Sequence, residues 1–117
     1  MITLKETREK MANDTRWWQI PLMNFVDDFR SSRDLRAIEE PFNPRGDKMD
    51  ALVASTAESL CDELSLSPPL WLETVPECQE RWFISRFERL KAIAIVESPL
   101  RFRIRKIFAT ENFLDRV

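Results

Sequence analysis

The sequence predicts an all-α fold, a compact bundle of about five or six short-to-medium helices with proline-marked connections. Three observations predict it. Apolar residues recur at three- and four-residue spacing in several segments. Gly46 is the only glycine and tyrosine is absent, which disfavours a turn-rich β fold. Seven prolines cut the 117 residues into pieces of helical length. The length suits a single helical domain, residues 1–117, large enough to bury a core unaided.

Residues 2–13 are polar, with Leu4, Arg8 and Met11 on one helical face. A short helix is expected there, with residues 1–15 frayed. In residues 14–31, Trp17, Trp18 and Ile20 precede Pro21, which fits the first turn of a helix. Leu22, Phe25, Val26 and Phe29 give that helix a buried stripe, and it should stop near Ser31-Ser32. A shorter turn is expected over residues 33–38. Residues 39–47 hold two prolines and the glycine and read as a loop.

The best helical pattern runs from Asp47 to Leu64. Asp47 is the expected N-cap, and Asp50 sits in the first turn, where the helix dipole favours an anion. Met49, Leu52, Val53, Ala57, Leu60, Cys61 and Leu64 form its stripe. Asp50, Glu58, Asp62 and Glu63 should lie away from that stripe. Ser67-Pro68-Pro69 then opens a short helix carrying Leu70, Trp71 and Leu72, with Ser67 as cap, and Pro76 ends it. Residues 77–83 read as a loop carrying Trp82 and Phe83.

Residues 85–97 are helical by the pattern of Phe87, Leu90, Ile93 or Ala94, and Ile95 or Val96. The last turn is apolar nearly all round, so burial is expected. Residues 100–105 alternate with period two, which is a strand signal, yet Ser98-Pro99 fits a helix cap and first turn. Helix is preferred for residues 99–105, because an isolated strand has no neighbour to pair with. Extended backbone should follow at Ile107-Phe108. A last turn over residues 111–116 should dock Phe113 and Leu114.

Composition excludes several chemistries. The chain has no histidine, so the commonest general base and metal ligand are missing. A Ser-His or Cys-His pair cannot form. Cys61 and Cys78 lack a CxxC spacing and are expected to stay free thiols in a reducing cytoplasm. One glycine cannot build a phosphate-binding loop. The acidic pairs Asp27-Asp28, Glu39-Glu40 and Asp62-Glu63 are sequential, so on a helix their carboxylates diverge; they read as solvated charge. No enzyme activity, cofactor or metal is expected. No apolar run reaches the length of a membrane span, and residues 1–16 lack the apolar centre of a secretion signal. A cytoplasmic location follows as an expectation.

Charge is uneven. Residues 1–78 hold nine Lys and Arg against fifteen Asp and Glu, a balance of −6, whereas residues 79–117 hold nine against five, a balance of +4. Either one end meets a polar partner, or the two halves pair with each other. Arg101, Arg103, Arg105 and Lys106 form the most basic run, suited to carboxylate or phosphate. On a helix Arg103 points away from Arg101 and Arg105, and the acidic balance of the whole chain disfavours nucleic acid as its partner. Four tryptophans are many for this length, and Trp is enriched both in cores and at interface hot spots. Trp71 and Trp82 join the four cations as candidate partner-binding residues.

Two stretches resemble a family of small bacterial all-helical proteins. One runs Arg45-Gly46-Asp47-Lys48-Met49-Asp50-Ala51-Leu52-Val53-Ala54 and on to Leu64-Ser65-Leu66-Ser67-Pro68-Pro69-Leu70-Trp71. The other is Glu97-Ser98-Pro99-Leu100-Arg101-Phe102-Arg103-Ile104-Arg105-Lys106-Ile107-Phe108. The ending Asn112 to Val117 is also similar, so the likeness spans about residue 21 onward. Members often follow a helix-turn-helix domain and are encoded beside nucleotidyltransferase-like toxins of the abortive-infection class. The resemblance implies an antitoxin-like module whose partner is another protein, a nucleotidyltransferase-type toxin. The alternative is a nucleic-acid-associated regulator fragment that lacks its DNA-reading domain, for which this chain has no room. Homo-oligomerisation stays open. Lys106 departs from the pattern, standing where the family often has Gly or Asn.

Overall fold

Thr3 opens the first helix, α1 (Leu4–Asn13). Its hydroxyl accepts from the Glu6 amide at 3.2 Å, and the Glu6 carboxylate accepts from the Thr3 amide at 2.7 Å. This reciprocal capping box satisfies two amides that a frayed end would leave to water. Residues 4–13 are therefore an ordered helix, with Leu4, Arg8 and Met11 all buried on the expected face. The protein is described by a computed structural model over residues 1–85, 88–110 and 113–115.

A 3-10 turn, Thr15–Trp17, leads into α2 (Gln19–Ser32) with Pro21 in its first turn. Leu22, Phe25, Val26 and Phe29 are fully buried, as their spacing requires. Arg33 ends α2 in the left-handed region (φ 54°), and its amide donates to the Phe29 carbonyl at 2.8 Å. A second 3-10 turn, Leu35–Ile38, is capped by Asp34, whose carboxylate accepts from the Arg36 amide at 3.0 Å.

The central helix is α3 (Lys48–Glu63), capped by Asp47, which accepts from the Met49 amide at 3.0 Å. It packs against α1 and α2 and, elsewhere, against the short helix Leu100–Arg103 near the C-terminus. Its small residues Ala51, Ala54, Ser55 and Ala57 let neighbours approach from several sides, and residues 50–58 are buried without interruption. The expectation for its carboxylates is corrected here. Asp62 and Glu63 are exposed, but Asp50 and Glu58 are buried, because arginines from other segments cover them.

The C-terminus of α3 is a Schellman motif. The Leu66 amide donates to the Cys61 carbonyl at 2.8 Å and the Ser65 amide to the Asp62 carbonyl at 3.4 Å. Ser65 holds φ 58°, a conformation that glycine adopts without steric cost. Ser65→Gly should raise stability by about 0.5–1 kcal/mol, read as a Tm increase of a few degrees with unchanged far-UV circular dichroism.

The next helical piece is a 3-10 turn, Leu70–Thr74. Pro69 stands at its cap position, no side chain caps it, and so Ser67 does not play the expected role. Residues 82–83, read from the sequence as loop, form a strand. β1 (Trp82–Phe83) pairs in parallel with β2 (Ile107–Phe108), in the register Trp82 with Ile107 and Phe83 with Phe108. Parallel strands need a crossover, here α4 (Glu88–Glu97) and α5 (Leu100–Arg103). Extended backbone at Ile107-Phe108 is as expected, and it does have a neighbour. The rings of Phe83 and Phe108 stack at 5.1 Å.

α4 is a second correction. Of its last turns only Ala94 is buried, while Ala92, Ile93, Ile95 and Val96 are exposed. Ser98 does not cap α5, which has Pro99 at its cap position. Its hydroxyl instead donates to the Ala94 carbonyl and accepts from the Ala109 amide at 2.9 Å, tying the end of α4 to the end of β2. Phe113 packs on Phe102 and Leu114 is buried. Phe87, and residues 111, 112 and 116 of the expected last turn, lie outside the described residues.

Candidate functional site

The basic run near the C-terminus is drawn into the fold. Arg105 is buried. Its guanidinium pairs with Glu58 and donates to the Ser55 hydroxyl at 3.2 Å, the Leu72 carbonyl at 2.8 Å and the Val75 carbonyl at 3.2 Å. Arg101 grips Asp62 through two nitrogens, at 2.8 and 3.1 Å, and lies 3.5 Å from Glu58. The hydrogen bond to Asp62 raises the Arg101 pKa above its ordinary value. Arg103 turns the other way, donating to the carbonyls of Val96 and Ser98, both at 3.0 Å. Lys106 pairs with Glu77 at 3.2 Å, its backbone in the left-handed region at φ 64°. Three of the four cations thus pair with carboxylates of residues 1–78, so the uneven charge joins the two halves of the chain to each other.

A second clasp lies at the start of α3. The buried Arg8 donates from Nε to Asp50 at 2.8 Å and from an Nη to Asp47 at 2.7 Å. The other Asp50 oxygen accepts the amides of Arg45 and Gly46, both at 2.9 Å. Asp50 therefore holds the loop, α1 and α3 together at one carboxylate. Sequence reasoning took it for a surface charge. The overlooked signal was Arg8 itself, a cation on the apolar face of α1 that needs a buried anion. Among the described residues, no buried side-chain nitrogen or oxygen lacks a hydrogen-bond partner. Nor do the described residues gather three or more Cys, Asp or Glu in a group that would hold a metal.

The two tryptophans singled out from sequence are half-buried. Trp71 donates from Nε1 to the Ile38 carbonyl at 3.0 Å and meets Phe42 edge-on at 5.5 Å. Trp82 meets Trp18 edge-on at 6.0 Å, with the Lys48 ammonium 4.5 Å from its ring centroid. The exposed tryptophan is Trp17, with 55 % of its surface in solvent, beside Ile20 at 57 %. Both line an open groove of about 570 Å³ between α1 and the start of α2. Ile2 and Pro21 complete its apolar wall, and Lys10, Asp14 and Asn24 supply polar groups. This groove was not expected: Trp17 counted among the four tryptophans suited to core or interface, but Trp71 and Trp82 were the two taken as partner-binding candidates.

A polar cleft of about 590 Å³ lies between residues 46–50 and 76–82, where Asp47, Glu77 and Glu80 face Lys48 and Arg81. Cys78 sits at its wall as a buried free thiol, and Cys61 is likewise free and buried in the core. Burial pushes the Cys61 thiol up to about 11 and the Cys78 thiol in the same direction, which leaves both protonated and poorly nucleophilic at neutral pH. No helix is long and apolar enough to cross a membrane among the described residues. Comparison with known protein families, curated proteins and solved structures gives no match to this chain.

Proposed function

We propose that this chain is a protein-binding module, antitoxin-like in role, that receives another protein in the groove between α1 and the start of α2. The observation that carries this reading is Trp17. A tryptophan more than half exposed beside an exposed isoleucine, over an apolar groove, has the makeup of an interface hot spot. The basic run is a weaker candidate for the contact, since Arg101, Arg103, Arg105 and Lys106 all spend donors inside the chain. For the same reason a nucleic-acid interface draws little support from them. A nucleotidyltransferase-type toxin as the partner rests on the motif resemblance alone. The reading is for an encounter in the cytoplasm, which suits two free thiols.

Co-expression with a neighbouring nucleotidyltransferase-type protein, followed by calorimetry on the purified pair, tests the reading. A complex with micromolar or tighter affinity is expected. Trp17→Ala should weaken it by about 30-fold or more while leaving the Tm unchanged, because Trp17 lies outside the core. Equal affinity for the variant would remove the groove from the interface, and no complex at micromolar concentration would remove the toxin.

A further inference from the structure

We propose that residues 76–81 form a strap that opens on its own, with the Glu77–Lys106 pair as its latch, and that its opening joins two surface clefts into one. The strap is separate from the Trp17 groove and does not depend on what binds there.

Both ends of the strap are pinned. Before it, the Val75 amide donates to the Leu72 carbonyl at 3.1 Å, and the Val75 carbonyl accepts from Arg105 Nε at 3.2 Å. After it, the Trp82 amide donates to the Lys106 carbonyl at 2.8 Å and β1 begins. The residues between belong to no helix or strand. Among the described residues, two polar contacts tie them to the body. The Cys78 amide donates to the Arg105 carbonyl at 3.0 Å, and Glu77 pairs with Lys106 at 3.2 Å. Cys78 alone turns its side chain inward, whereas Pro76, Glu77, Gln79, Glu80 and Arg81 are exposed. A segment with so little apolar burial sits at the low end of local stability, and it opens without the core.

The strap has space on both sides. On one side lies the polar cleft at the start of α3. On the other is a hollow of about 410 Å³ lined by Glu58, Arg101, Ile104 and Arg105. Pro76 and Glu77 belong to the walls of both, so lifting them removes the partition. The cleft beside Lys48 then runs through to the Glu58–Arg105 clasp.

The latch is suited to release. Glu77 is 53 % exposed and Lys106 40 %, so water competes for both charges and the pair is weak. Lys106 also supplies the carbonyl that pins Trp82, and its φ of 64° is one that a Cβ makes costly. Latch and backbone cost meet in one residue, and substitution there separates them.

Cysteine labelling and amide exchange on the full chain test the strap. With iodoacetamide, where the thiolate displaces iodide, Cys78 should react about 100-fold or more faster than Cys61, which lies in the core on α3. Urea below the unfolding transition should speed Cys61 steeply and Cys78 little, because the slope follows the surface exposed. Lys106→Met removes the latch and should speed exchange of the Cys78 amide about threefold. Lys106→Gly removes it equally but suits the left-handed backbone. In that variant the Cys78 amide should still exchange about threefold faster, while Cys61 labels no faster than in the wild-type chain. One shared labelling rate and urea slope for the two thiols would mean that residues 76–81 open only with the whole fold, and would overturn the proposal. Unchanged Cys78 amide exchange in both Lys106 variants would overturn the latch.

Discussion

Arg105→Ala is expected to lower the unfolding free energy by about 3–5 kcal/mol in urea titration, the largest loss of any single polar substitution here. The variant leaves the Glu58 carboxylate buried without its strongest partner, and it orphans the Ser55 hydroxyl and the carbonyls of Leu72 and Val75. Arg101 cannot take over, since its nearest approach to Glu58 is 3.5 Å and its other nitrogens hold Asp62. For a chain of this length the loss corresponds to a Tm lower by about 12–20 °C. The pair itself need not be worth that much. Arg105→Met combined with Glu58→Leu removes both charges together and should recover much of the loss. If Arg105→Ala costs under about 1 kcal/mol, the guanidinium is not the internal clasp described above.

The second large effect belongs to Asp50. Asp50→Ala removes one carboxylate that accepts from Arg8 and from the amides of Arg45 and Gly46. A loss of about 3–4 kcal/mol is expected, because the buried Arg8 keeps only its bond to the half-exposed Asp47. Asp50→Asn should cost about half as much. Its amide oxygen can still accept the two backbone N–H groups, while the charge that holds Arg8 is gone. Hydrogen exchange separates the two contributions. The Arg45 and Gly46 amides should exchange faster in Asp50→Ala than in Asp50→Asn, and equal rates in both would show that Asp50 does not organise that loop.

Much of the architecture was legible because local signals and burial agree. Leu22, Phe25, Val26 and Phe29 are spaced for a helix and are fully buried, and Asp47 sits where an N-cap belongs and caps. The misreadings share one physical cause, which is tertiary. Asp50 and Glu58 look solvated when α3 is taken alone, and become buried only once Arg8 and Arg105, 42 and 47 residues away in sequence, arrive to neutralise them. Trp82-Phe83 is too short to show alternation and becomes a strand only beside Ile107-Phe108. The apolar end of α4 suggested burial, but helical patterning reports only that a face avoids water, not whether the same chain covers it. The basic run of Arg101, Arg103, Arg105 and Lys106 is plain in the sequence. Its partners are not, because carboxylates on another helix leave no mark in the neighbouring sequence. Trp17 was in view throughout; that it is the exposed tryptophan depends on how α1 turns into α2.

The long reach between Glu58 and Arg105 also bears on how the chain is made. Protein synthesis runs from the N-terminus, and a nascent segment settles only with the partners already formed. A chain that has passed α3 but not yet the basic segment holds the Glu58 carboxylate without Arg101 or Arg105, its two cations, so the docking of α1, α2 and α3 lacks that clasp until the segment emerges. The final lock is thus timed by translation, and early stops before residue 105 should yield products that are degraded and not stored.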